Sequence, residues 1–158
     1  MDCEEFIAGD NTILREILHP DKAPLDLRYS LAHAKVPIGK TTYLHSLKTS
    51  EIYYILEGKG KMFINDETAI LEPGDTVYIP PLAKQCIENI GDQELVFVCI
   101  VDPAWKEEDE VVLWAEWLIY SAHESVIHEP NMWYNWLMKY NWQLKDWPNF
   151  SYKPAEIN

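Results

Sequence analysis

The spacing of turn signals constrains this chain more than any other feature. Gly58-Lys59-Gly60, Asn65-Asp66-Glu67, Pro73-Gly74-Asp75, Pro80-Pro81 and Asn89-Ile90-Gly91-Asp92 punctuate the stretch between residues 36 and 103 at short, regular intervals. Between them lie brief runs rich in β-branched and aromatic residues, at 51–56 (EIYYIL), 61–64 (KMFI), 68–71 (TAIL), 76–79 (TVYI), 84–89 (KQCIEN) and 95–101 (LVFVCIV). Each run is too short for a stable helix and long enough for a strand. Short strands alternating with Gly, Pro, Asn and Asp predict an antiparallel sandwich or barrel.

Period two assigns faces within that class, because side chains alternate across a strand. In 41–47 (TTYLHSL), His45 and Leu47 share a face, and in 51–56 Glu51, Tyr53 and Ile55 do. The run 27–36 (LRYSLAHAKV) sets Leu27, Tyr29, Leu31 and His33 against Arg28, Ser30, Ala32 and Ala34. His33 therefore rides with the bulky residues. If that face looks inward it approaches a site there; otherwise it is a hydrogen-bonded histidine at the rim. Residues 12–18 (TILREIL), ended by His19-Pro20, leave helix and strand open, and residues 1–11 read as a ragged start.

Gly39, His45, Leu47, Glu51 and Gly58 are followed by Gly74, Pro80, Leu82, Gln85 and Asn89. In spacing this resembles the two consecutive motifs of the cupin superfamily, G-x5-H-x-H-x3-4-E-x6-G and G-x5-P-x-G-x2-H-x3-N. The resemblance implies an all-β fold, a double-stranded β-helix jelly-roll barrel, with a strand at 12–18. It also implies a metal held at the barrel mouth by three histidines and a glutamate, serving dioxygenases, isomerases, epimerases or decarboxylases. Leu47 and Gln85 stand where the second and third histidines belong, and Leu82 replaces a glycine.

The expected ligand set is thus reduced to His45, Glu51 and Gln85. An amide oxygen is a weaker donor than imidazole and leucine is none, so affinity for Fe, Mn, Ni or Zn falls. Two readings follow. In one, the chain is a small-molecule cupin with a partial divalent-metal site, an isomerase or dioxygenase acting on a sugar-like or small organic acid substrate, with Glu51 and Tyr53 as catalytic groups. In the other, the same residues form a metal-free polar pocket in a noncatalytic binding or sensing module.

Length and charge narrow the rest. The chain has 158 residues, enough for one well-buried domain, and a formal charge of -13, which opposes nucleic acid and anionic membranes. The three cysteines show no C-x-x-C spacing, and Cys86 and Cys99 read as small buried residues, not nucleophiles. The N-terminus lacks a signal peptide and the longest apolar run is too short to cross a bilayer, so a cytoplasmic location is expected. Six of the seven tryptophans follow residue 110. A boundary near 104/105 is expected, with the barrel at 1–104 and an aromatic-rich helical extension at 105–158, its helices at 106–122 and 131–140, packed on the barrel or across a homodimer. The acidic run 107–110 reads as a solvated helix start without chemistry. His123 and His128 lack the i, i+4 spacing of paired ligands.

Overall fold

A computed structural model of the chain describes residues 3–22 and 24–113. The chain divides into two compact units, Met1–Trp117 and Leu118–Asn158, and the first holds the barrel. Eleven strands make it: β1 Phe6–Ile7, β2 Ile13–Leu18, β3 Ser30–Val36, β4 His45–Leu47, β5 Ser50–Glu57, β6 Gly60–Ile64, β7 Glu67–Leu71, β8 Thr76–Ile79, β9 Gln85–Asn89, β10 Leu95–Asp102 and β11 Glu110–Val112. They form two antiparallel sheets, one ordered β1-β2-β3-β10-β5-β8 and the other β11-β4-β9-β6-β7. The strand expected at 12–18 is a strand, and the described part of the start expected to be ragged, residues 3–11, carries a short strand of its own. Phe6–Ile7 pairs with β2, and the turn after it is fixed by hydrogen bonds from Ala8 N to Thr12 O and from Asn11 N to Ala8 O.

The core follows the alternation. In β5 Glu51, Tyr53 and Ile55 are buried while Tyr54 and Leu56 face out, and in β4 His45 and Leu47 flank an outer Ser46. β3 turns its small face inward. Ser30, Ala34 and Val36 are its buried residues, so Leu31, His33 and Lys35 point outward. β3 lies at the centre of its sheet, between β2 and β10, and Ser30, Ala32 and Ala34 on its inner face leave the space between the sheets open. His33 does not line the cavity, and its Nδ1 is buried without a hydrogen-bond partner.

Two of the motif residues hold turns. Gly58 sits at φ +82, and a Cβ there would lie 2.5 Å from Glu94 O, so no other residue fits without backbone movement. Asn89 is buried and clamps the turn that follows it, donating from Nδ2 to Val36 O at 2.9 Å and Gln93 O at 2.8 Å and accepting from Gly91 N at 2.9 Å. This ties β9 to β3 across the two sheets.

The expected helix at 106–122 does not form over its described part. Glu107–Asp109 is a single 3-10 turn, and Glu110–Val112 then pairs antiparallel with β4. Strand pairing beats the helix because Lys48 holds the turn: its Nζ meets Asp109 Oδ1 at 3.0 Å and Glu108 O at 2.8 Å, and its N–H donates to Asp109 O. The acidic run is thus not a solvated helix face, and the barrel extends beyond residue 104. The rest of that helix from residue 114 onward, the one at 131–140, His123, His128 and the packing expected of the aromatic extension lie outside the described residues. Among the described residues no helix is long and apolar enough to cross a membrane.

Candidate functional site

The site grows out of the place where the two sheets part. β1 and β11 are edge strands of different sheets, and Gly9, in the turn after β1, approaches Glu110 and Val112 of β11 closely enough that a Cβ would touch both. Between these edges and the inner faces of β2, β3, β5 and β10 lies a cavity of about 410 Å³. Its wall includes His45, Leu47, Glu51 and Tyr53, as parity requires, together with Asp10, Cys99, Trp105 and Glu110.

His45 opens β4, opposite Gln85 on one side and Val112 on the other. Its Nδ1 lies 2.9 Å from Tyr43 O, and since a carbonyl only accepts, Nδ1 carries the hydrogen. Nε2 has no partner among the described residues, although the side chain is 95% buried by its 5% exposure. Burial works to lower the imidazole's pKa, but the carboxylates of Asp10 and Glu51, the Tyr43 hydrogen bond and Glu110 outweigh it, and the pKa is raised. Asp10 Oδ2 stands 3.9 Å from Nδ1, held by Thr12, whose Oγ1 donates to Oδ2 at 2.5 Å and whose N–H donates to Oδ1 at 3.1 Å.

Glu51 lies deeper. One oxygen accepts from the Cys99 thiol at 3.1 Å, the other from the Gln85 side-chain amide. Burial pushes its pKa up, and His45 with these two hydrogen bonds only partly offsets this. Burial pushes the Tyr53 phenol and the Cys99 thiol well above their ordinary values, with Glu51 adding to both. Tyr53 thus stays a neutral hydroxyl, its ring against Phe97 with centroids 4.5 Å apart, and Cys99 stays a thiol. Glu110 accepts from Trp105 Nε1 at 2.9 Å, and burial raises its pKa against the pull of His45. Trp105 is itself fastened, its N–H to Ser30 Oγ and its carbonyl to His19 Nε2 at 2.9 Å.

His45, Glu51 and Tyr53 come together on the cavity wall. Gln85 does not reach it: the residue is 1% exposed, sits behind Glu51, and spends its amide N–H on that carboxylate, leaving Oε1 without a partner. A divalent ion needs three or more converging donors. Among the described residues no group of three His, Cys, Asp or Glu is arranged to hold one. Leu47 contributes no donor and Gln85 turns its amide N–H, not a lone pair, toward Glu51, so the residues as placed do not fit the ion.

Three participants escaped the sequence reading. Glu110 belonged to a run that looks solvated, yet β11 sets it directly opposite Leu47, the position of the missing histidine. Asp10 lay in the segment read as ragged. Cys99 lay in a strand apolar on both faces, and only the register Cys99↔Tyr53 shows that it faces inward. The nearest signal in the sequence was Asp10-Asn11-Thr12, whose carboxylate two residues before a threonine suits a local side-chain turn.

This architecture, two antiparallel sheets closing on a cavity with the two motif segments on its walls, is that of a small cupin. The cupin domain family model matches residues 32–101, and the chain belongs to the cupin superfamily. It is 45% identical over 109 residues to the uncharacterized protein MJ1618 of Methanocaldococcus jannaschii, covering 68% of this chain and 86% of that one. It is 29% identical over 97 residues to the glucose-6-phosphate isomerase of Thermococcus onnurineus, covering 58% of this chain and 47% of that enzyme. The chain thus spans about half the length of that isomerase. A cupin-like protein from Thermotoga maritima superposes with a TM-score of 0.56 at 22% identity, over 65% of this chain and 76% of that one, which establishes the shared fold alone.

Proposed function

We propose that this protein is a ligand-binding cupin whose cavity takes a small molecule without the help of a metal ion. One observation carries the reading: Gln85 donates to Glu51 from behind the wall, so the residues that match the family's ligand positions satisfy one another instead of converging on an ion. The cavity supports it in size, since about 410 Å³ lies in the range of small-molecule sites. Its wall offers apolar surface with a few fixed polar groups, the Nε2 of His45 and the Tyr53 hydroxyl among them. With a phenol held neutral and a thiol held protonated, the site offers hydrogen bonds and charge rather than a nucleophile.

The competing reading is a weak divalent-ion site on His45 and Glu51, serving an isomerase or dioxygenase reaction with Tyr53 and Glu51 as acid and base. It draws on the orientation of His45, whose Nδ1–H is fixed on a carbonyl as in histidines that ligate through Nε2. Elemental analysis of protein purified without added metal separates the two. The expected content is far below one ion per chain, with no rise in thermal midpoint on adding Fe, Mn, Ni or Zn salts. Stoichiometric metal that disappears in His45→Ala would overturn the metal-free reading.

The proposed assembly is a homodimer. The outer face of the six-stranded sheet supports it, exposing Tyr54, Leu56 and Tyr78 on neighbouring strands. Sedimentation at the 18.5 kDa of a single chain would refute it.

A further inference from the structure

The negative charge on the cavity wall has no lysine or arginine counterpart among the described residues that line it. Asp10, Glu51 and Glu110 face the cavity, and their hydrogen-bond donors are a threonine, a glutamine amide, a thiol and an indole, all neutral. Glu16 also lines it but is paired with Lys22 at 2.7 Å. Among the lining residues there is no lysine or arginine, and the one group able to carry positive charge is His45. A single imidazole thus stands against Asp10, Glu51 and Glu110, with Glu107 also on the lining, and buried charge without a partner is costly. A second, independent observation points to a ligand: His45, with its side chain 5% exposed, presents an Nε2 with no partner among the described residues toward the same space. Around these polar groups stand the rings of Tyr53, Phe97 and Trp105, suited to the alkyl or aromatic part of a guest and to the face of a cation.

We propose that the cavity binds a small organic amine as its ammonium ion, the nitrogen on the wall that carries Asp10, Glu51 and Glu110 and the carbon skeleton against Tyr53, Phe97 and Trp105. This rests on the reading of the cavity as a ligand site and adds the ligand's charge to it. The carboxylates accept the ammonium hydrogens on lone pairs their neutral donors leave free. The same wall rejects phosphate esters, which would find three like charges and no guanidinium or ammonium to hold them. On this point the chain parts from what a sugar-phosphate site requires.

The test uses the full chain stripped of metal with chelator, titrated calorimetrically with benzylamine, with benzyl alcohol, which has nearly the same shape and no charge, and with glucose 6-phosphate. Benzylamine should bind at least about tenfold more tightly than the alcohol, the value of one favourable charge interaction. The sugar phosphate should not bind. In Glu110→Gln, which keeps an acceptor for Trp105 Nε1, the preference for the amine should shrink several-fold at an unchanged thermal midpoint. Glu51→Gln should also shrink the preference for the amine, and the wild-type ratio decides alone if either variant fails to fold. Equal or tighter binding of the alcohol or the sugar phosphate would overturn the ammonium assignment while leaving the cavity a ligand site. No binding of any of the three would overturn both.

Discussion

At the scale of single residues, the two motif segments assign backbone conformation as much as chemistry. Leu82 stands where the cupin pattern asks for glycine, and its φ of +65 shows why: the turn after β8 needs a left-handed residue, donating from its N–H to Leu47 O at 2.7 Å. A leucine there bears roughly 1–2 kcal/mol of steric cost, while glycine gives back about 0.5–1 kcal/mol in unfolded-chain entropy. Leu82 is 69% exposed, so little packing is lost. Leu82→Gly should therefore stabilise the protein by about 0.5–1 kcal/mol in urea unfolding, and a lower midpoint would show that the leucine is held by contacts instead. Glu51 illustrates the reverse case. Its residue type matches the pattern, and what the pattern does not convey is that its two oxygens accept from Cys99 and Gln85.

At the scale of elements, β11 makes the site. Three residues long, it lies at the edge of its sheet and brings Glu110 and Val112 to the cavity wall while Val111 points outward. Leu113 donates to Leu44 O at 2.8 Å, and backbone donors alternate sides along a strand, so the N–H of Val111 also points to β4. Proline at 111 removes that donor without touching the cavity side chains. Val111→Pro should cost at least about 1 kcal/mol and weaken benzylamine binding, because Glu110 loses its anchorage, whereas Val111→Thr should retain both. Calorimetry and a thermal melt on the two variants read this directly. Unchanged binding in the proline variant would mean that Trp105, not the strand, holds Glu110.

At the scale of the whole molecule, charge sets the response to pH. Glu51, Glu110 and His45 all have raised pKa values in the folded chain, so the folded state holds more protons than the unfolded one above the ordinary 4.5 of the carboxyls and 6.5 of the imidazole. Their contribution is fully present below those values and is lost as pH rises through the folded ones. The charge of -13 adds self-repulsion in the same direction. The thermal midpoint should fall from pH 5 to pH 8, with a flatter slope in Glu51→Gln. A midpoint that rises over this range would contradict the raised values. Much of the barrel was legible beforehand, since turn residues and period-two alternation are local properties of the chain, and they set the strands, the inward faces of β4 and β5, and the positions of His45, Glu51 and Tyr53. Register and edge pairing are not local. Which face of β3 lies inside, where Gln85 spends its amide, and how Asp10 and Glu110 come to share a cavity with His45 depend on contacts between segments up to a hundred residues apart, and such contacts leave no periodic trace in the amino-acid order.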